Sequence, residues 1–541
     1  MNTRHHDTGM GRRGFLSTVA AGAAAAALYP GELFGQDPPL PASGARTDRF
    51  TRIFELPPFA EPTPRVQAAL LELGAPGGLL DAKDPLHEGP VRLITNPELS
   101  PNNRDNPAMT AGVTFLGQFL DHDMTFDVAS PLGVPTVPRR SPNGRTPMFD
   151  LDSVYGGGPT SHPHLYEPDD RAKFKVESCG PFEDLPRGAD NRAVIADPRN
   201  DENLMLAGLQ AAMLLFHNRV VDRLRAGGDD GRLAASARDA TGGLDLAERD
   251  DDDRRRSVFL EARRLVRWHY QWIIVHEFLP QIAGASVVND ILTRGSRFYR
   301  PRSGQTSMPV EFQAAAYRFG HSMVRPSYRA NLAGDQGKPF FGFVFDPAGE
   351  GQADPVDLRG GARAARRFVG WQTFFNFGGA QAVNVRPNKT IDTKISTPLF
   401  NLPLGAIASG DRPTALPQRN LLRHLTWSLP SGQAIAREMG IPALTRAQLH
   451  ELASFGAGFE RSTPLWYYVL KEAELAGGAS LSGVGARIVG EVFLQLLLMN
   501  GNSYLAQKPR WRPTLPSRAP GTFEMVDLLT FAGVDPASRG Q

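Results

Sequence analysis

The sequence predicts a mainly α-helical fold: one large helical unit with long loops and little β structure. Three observations carry this. Apolar residues recur at helical spacing over long stretches, strand-like alternation is rare and short, and no internal repeat marks a solenoid or propeller. Of the 541 residues, 41% are hydrophobic and 21% charged, the composition of a globular chain long enough for a sizeable core. A formal net charge of +2 argues against nucleic acid as a partner, and the single Cys179 excludes an intramolecular disulfide.

In chain order, residues 1–40 read as a leader and arm. Arg12-Arg13, then Gly14-Phe15-Leu16 and an Ala-rich run to Pro30, have the pattern of a twin-arginine export signal. The run is short and weakly apolar for a membrane span, and no other segment reads as an integral span. The expectation is therefore a periplasmic or secreted protein with one domain over residues 41–541. Helices are expected at Ala108–Phe126, Glu202–Leu224, Ser257–Ile282, Met308–Val324 and Ile488–Leu498, and strands near Phe340–Phe345 and Ala382–Val385. Residues 127–200 and 227–256 read as loops, the latter a solvated insertion with the acidic run Asp250–Asp253.

Five short stretches can carry chemistry. The first, GQFLDHD at 117–123, ends an apolar helix; Gln118 and His122 fall on one face, and Asp123 points about 100° away from His122. Read alone, it is polar decoration at a helix end. The second, TPMFDLDSVYG at 146–156, alternates Thr146, Met148, Asp150 and Asp152. Hydroxyl, carbonyl and carboxylate oxygens suit a hard cation, with Asp123 closing the cage; a solvated acidic loop is the alternative. In the third, Asp197–Glu202, Arg199 and Glu202 can face one pocket or simply cap the next helix. The fourth, YRFGH at 317–321, sets His321 after Gly320, which leaves room for a flat group; a buried structural histidine is the alternative. In the fifth, NLLR at 420–423, Asn420 can orient a ligand histidine through its other ring nitrogen or cap a helix.

Together and in this order, from about residue 50 to about residue 510, these motifs resemble the animal-type haem peroxidases of the peroxidase–cyclooxygenase superfamily. The resemblance implies a haem-peroxidase domain using haem b and Ca²⁺, with hydrogen peroxide and a halide, pseudohalide or small aromatic donor as substrates. It implies His122, Arg199 and Gln118 as catalytic residues and His321 as the ligand of the haem iron. It further implies Asp121 and Glu202 as carboxylates that ester-link haem, and Asn420, Arg423 and Arg318 as residues around the haem. Calcium falls to Asp123, Thr146, Met148, Asp150 and Asp152.

Three positions depart from the family pattern. Asn203 stands where a mammalian member has a haem-bonding methionine, so a sulfonium link is not expected. Asp152 stands where mammalian members have serine. Arg318 occupies the position, three before His321, where dioxygenase members carry a radical-forming tyrosine, and Tyr317 lies one residue off. Two rivals to the peroxidase reading stand beside it: a cyclooxygenase-like fatty-acid dioxygenase, and a haem- and calcium-binding surface protein without turnover.

Overall fold

The computed structural model describes residues 49–539, apart from 128, 180–181, 228–250, 302–305, 362–363, 365 and 408. The leader at 1–40 and most of the 227–256 insertion lie outside the described residues. Helices dominate, and the strands among the described residues form four two-stranded sheets. The helices that matter for the site are α1 (Gly112–Met124), α2 (Leu204–Arg225), α3 (Asp251–Ile273), α4 (Leu416–Thr426), α5 (Leu465–Leu475) and α6 (Gly483–Met499). Helix α2 packs against α1 and α3, and α5 against α6. By length and composition α2 alone among the described residues passes as a membrane span. Yet 83% of its most apolar window is buried within the protein, so it is a core helix.

Helix α1 starts later than expected. Residues 105–110 pair instead with Pro387–Lys389, since Asn106 precedes a proline and is biased towards extended backbone. At Gly112 a Cβ would come within 2.5 Å of the Phe375 ring, so the helix begins where only glycine lets it pass. It stops at Thr125 because Asn143 accepts from Phe126 N (2.7 Å) and donates to the Met124 carbonyl (2.9 Å).

The expected helix Met308–Val324 is corrected by the structure. Met308–Pro309 pairs with Phe50–Thr51, Val310–Gln313 makes one α-turn, and Ala316–Met323 is a 3₁₀ helix. Three residues per turn bring Arg318 and His321 onto one side, which an α-helix would not align as closely. The expected strand Ala382–Val385 is also corrected: Gly379–Asn384 is a 3₁₀ turn that leaves Val383 exposed, and the ladder forms later, at Pro387–Lys389. The strand near Phe340 is present as Lys338–Phe343, in a hairpin with Ser327–Asp335 across Gln336-Gly337, both at positive φ.

The helix expected to end at Ile282 leaves α geometry after Ile273. Two π-helical stretches follow, Ile274–Phe278 and Pro280–Gly284, and their extra residue per turn re-aims the side chains of Phe278 and Ile282. The entry to α2 is held from outside by residues 358–360: Leu204 N donates to Leu358 O, and Gly360 N donates to Glu202 O (both 2.9 Å). A Cβ at Gly360 would sit 1.4 Å from the Asp201 carbonyl oxygen. Gly360→Ala should therefore displace the Asp201–Glu202 backbone and cost about 1–3 kcal/mol, read as a lowered denaturation midpoint.

Candidate functional site

A cavity of about 240 Å³ opens between α1, the entry to α2, the π-helical stretch and the 3₁₀ segment. It brings together Gln118, Asp121, His122 and Glu202 with Arg318, Gly320 and His321, residues some two hundred positions apart in sequence. The remaining wall is mostly apolar, including Phe278, Ile282, Phe319, Met323 and Leu399.

His122 is buried, and its Nδ1 lies 2.9 Å from Asn200 Oδ1. Asn200 in turn donates through Nδ2 to Gln210 Oε1 (2.9 Å), which fixes its oxygen towards the histidine. Nδ1 therefore carries the proton and Nε2 the lone pair. Burial, and after it the charge of Arg199, lowers the pKa to about 3, so the ring is a neutral proton acceptor at physiological pH.

Gln118 donates to Glu202 and accepts from Asn203 Nδ2 (3.2 Å). Asn203 also caps α2, its Oδ1 accepting from Leu206 N (3.0 Å). Burial raises Glu202 to about 7, against the opposing pull of Arg199 and Gln118. Asp121 is raised as well, chiefly by burial.

His321 faces the same cavity, held neutral by burial and then by Arg318, with its pKa lowered to about 3. The Asn420 amide nitrogen, on α4, is 2.8 Å from His321 Nδ1, and the Asn420 oxygen accepts from Arg318 Nη1 (3.1 Å). With Asn420 donating to it, Nδ1 is the acceptor, which leaves the ring proton on Nε2. A Cβ built on Gly320 would meet nothing within 4 Å, so the backbone beside His321 borders open space.

Neither Arg199, expected as a catalytic residue facing the pocket, nor Arg423, expected near the haem, lines the cavity. Arg199 is turned onto Asp197 through Nε (3.0 Å) and Nη2 (2.7 Å). It also donates to the carbonyls of His122 (3.1 Å) and Thr125 (2.9 Å) and stacks over Phe126 at 4.2 Å. A cation at the C-terminal end of α1 satisfies carbonyls the helix leaves unpaired. Arg423 is held by Asp127 Oδ2 (2.6 Å) and Ser130 Oγ (2.7 Å).

Asp123 points away from the cavity, as its helical position predicts. Its carboxylate, fully buried, and those of Asp150 and Asp152 place ligand oxygens within 4.8 Å of one another. Phe149 and Leu151, both at positive φ, kink the chain to bring Asp150 and Asp152 inward. Asp152 Oδ1 is buried without a hydrogen-bond partner, and burial and then Asp152 and Asp150 push Asp123 well above its usual range. Asp123 also accepts from Leu151 N, Ser153 Oγ and the Tyr270 hydroxyl (each 3.2 Å), and the three carboxylates together are oxygen donors of the kind that could hold a hard cation. Thr146 contributes its N–H to Asp152 (2.9 Å), while the Met148 carbonyl accepts from Asn500 Nδ2 (2.8 Å).

Sequence reasoning assigns no role to Asn200, Gln210, Asn203 or Arg145. A glutamine inside the apolar run of α2 is the one local signal that could have found Gln210. Arg145 donates to Asp197 Oδ2 (2.7 Å), so Asp197 bridges two guanidiniums.

Residues 127–340 match the family model of the animal haem peroxidases. A probable oxidoreductase of Homo sapiens, PXDNL, is 26% identical over 246 residues, 41% of this chain and 15% of that protein. Thyroid peroxidase of Mus musculus is 25% identical over 210 residues, 36% of this chain and 20% of the relative. The match thus spans a fifth or less of these relatives' length. Among solved structures, peroxidase A of Dictyostelium discoideum aligns with a TM-score of 0.54 at 16% identity, covering 90% of this chain and 91% of its own. A fatty acid alpha-dioxygenase of Oryza sativa aligns at 0.50 and 13% identity, covering 86% and 82%. These two likenesses show the fold. The family match itself covers residues 127–340, and that family implies haem binding and oxidoreductase chemistry.

The residues present fit a haem: two neutral histidines border one largely apolar cavity, and Gly320 leaves open space beside one of them. Asp197→Asn should leave the buried Arg145 and the half-buried Arg199 without their shared anion and destabilise the protein by about 3–5 kcal/mol in a denaturant titration. Burial opposes ionisation of Asp197, but the two arginines outweigh it and hold its pKa well below the usual value. The stabilisation is therefore present above an unfolded pKa of about 3.9 and lost as pH falls below it.

Proposed function

We propose that the protein is a haem peroxidase that reduces hydrogen peroxide and oxidises halides, pseudohalides or small aromatic donors. The observation that carries this reading is the pair His122 and His321 bordering one cavity, each with its Nδ1 held by an asparagine. His321 Nε2 would hold the haem iron. It becomes the ligand nitrogen when the Asn420 oxygen turns to accept from Nδ1–H, which requires Arg318 to release that oxygen. Haem held there supplies the redox centre that accepts oxidising equivalents from peroxide.

His122 Nε2 takes a proton from hydrogen peroxide and returns it to the departing oxygen. Asn200 and Gln210 keep that nitrogen unprotonated beforehand. Gln118, anchored to Glu202 and Asn203, orients peroxide or halide from the same helical face. Arg199 acts through its field on His122 and by fixing the last turn of α1, since its guanidinium is committed to Asp197. Asp121 and Glu202, both bordering the cavity, would be the carboxyl groups that ester-link haem, and Arg318 would be the cation for an acidic haem edge. Arg423 buttresses this side through Asp127. Calcium would be held by Asp123, Asp150 and Asp152 with Thr146 and Met148, and export to the periplasm or beyond is the reading of Arg12-Arg13.

The apolar walls, with Tyr317 bordering the cavity and donating to Gly117 O (2.9 Å), favour a second reading as a fatty-acid dioxygenase.

Haem reconstitution should give a Soret band that His321→Ala abolishes. His122→Ala should retain the band and lower peroxide-dependent phenol oxidation by about 10²–10⁴-fold, the range of general acid–base assistance. Oxygen uptake with an unsaturated fatty acid and no peroxidase turnover would replace this reading by the second; bound haem with neither activity would leave a binding protein. Acid–acetone extraction that removes all the haem would disprove the ester links.

Burial lifts Asp152 to about 7 even though Arg145 opposes it, so without a cation stability should fall as pH rises from about 4 towards 7. Added Ca²⁺ should flatten that slope and raise Tm; an unchanged slope would exclude the site.

A further inference from the structure

We propose that Trp272, Tyr504, Trp511 and His276 form a surface oxidation site for anionic phenolic donors too bulky for the cavity. It rests on the peroxidase reading and extends it to a second class of donor. Trp272 stacks on His276 at 3.7 Å, and Tyr504 lies 5.8 Å from Trp272 and 5.6 Å from Trp511, centroid to centroid. Indole and phenol are side chains readily oxidised by one electron, and here Trp272, Tyr504 and Trp511 are in mutual contact. Tyr504 hydroxyl is 3.2 Å from His276 Nε2. Partial burial, and after it the charge of Arg512, keeps that ring neutral, so Nε2 can receive the hydroxyl proton.

The helix that carries Trp272 and His276 runs on to the cavity wall. Phe278 lines the cavity and follows His276 by two residues, roughly 3 Å of helix rise. The cluster meets solvent: Trp511 is partly exposed, and His276, Arg510 and Arg512 are exposed. Arg512 lies over Trp272 at 5.2 Å, and among the described residues neither arginine enters an ion pair. Packing of residues 500–515 onto α3 accounts for the ring contacts. It does not account for an acceptor on the Tyr504 hydroxyl or for two exposed arginines either side of the partly exposed Trp511 in the chain, which suit an anionic aromatic ligand.

The balance closes with hydrogen peroxide as the oxidant. Its reduction to two waters consumes two electrons and two protons. Two phenolic donors each lose one electron through Trp511 and release one proton, leaving two donor radicals. When Tyr504 is the group oxidised, its hydroxyl proton passes to His276 Nε2 and returns on re-reduction.

The test uses haem-loaded protein with guaiacol as the small donor and Orange II, a sulfonated naphthol azo dye, as the bulky one. Trp511→Phe and Tyr504→Phe keep the packing; each should lower kcat/KM for Orange II by about tenfold or more and change guaiacol turnover by less than about twofold. Arg510→Gln with Arg512→Gln should raise KM for Orange II, and should weaken saturable quenching of tryptophan fluorescence by the dye in haem-free protein. Peroxide added with a nitroso spin trap and no donor should leave an adduct on Tyr504 or Trp511, mapped by peptide mass spectrometry. Unchanged Orange II turnover in both aromatic variants, with no adduct on either residue, would overturn this site while guaiacol oxidation upheld the peroxidase reading. A haem-loaded protein that oxidises neither donor would overturn both.

Discussion

The site is organised around the Asp197 carboxylate, buried between two guanidiniums. Arg145 reaches it from the segment that leads into the Asp150–Asp152 loop, and Arg199 reaches it from the entry to α2. Two buried charges and a half-buried one, with a net excess of one cation, are costly to remove from water and hold only if each finds partners. They do: Arg145 also donates to the Ala196 carbonyl, and Arg199 to the carbonyls of His122 and Thr125. One ion cluster therefore ties together the end of α1, the loop beyond it and the start of α2. The excess positive charge is felt by the neighbouring groups. It opposes protonation of His122 and tempers the burial penalty on Asp121, Glu202 and Asp152.

Around that cluster the two histidines are set in parallel ways from unrelated elements. Each is buried, each is held neutral, and each has an asparagine at Nδ1. The difference lies behind the asparagine. Asn200 is backed by the neutral Gln210, which locks its orientation. Asn420 is backed by Arg318, a cation whose engagement depends on what else it can bind. One histidine is thus fixed as a base, and the other sits on a polar hinge.

The apolar side of the cavity is built by departures from regular helix. The π-helical turns after α3 place Phe278 and Ile282 on its wall, and the 3₁₀ turn places Arg318 and His321 on one side. Irregular turns of this kind survive because the surrounding packing over-determines them. Here they lie between the core of α2, α5 and α6 and a cavity that leaves them no competing partner. The same π turns carry His276 outward, so one stretch of irregular helix serves both the cavity wall and the aromatic surface beside it.

The sequence by itself determined the motifs, the long helices and the split of GQFLDHD into two directions, because these depend on local periodicity: Gln118, Asp121 and His122 reach the cavity, and Asp123 the carboxylate cluster. It was also enough to pair Asn420 with His321, through the resemblance of their motifs. Tertiary structure decided the rest. Whether residues 316–323 are α or 3₁₀ depends on a strand formed with Phe50–Thr51, far earlier in the chain, and on Asn420, 99 residues beyond His321. The turning of Arg199 away from the cavity depends on Asp197 being buried between two arginines, one of them contributed by a loop fifty residues earlier. Asn200 and Gln210 acquire meaning only as the backing of His122, and Gly360 only as the residue that lets a distant loop approach Glu202. Periodicity reports which face of an element is apolar. It carries no information on which distant polar group will meet that face, and in this protein those meetings set the chemistry.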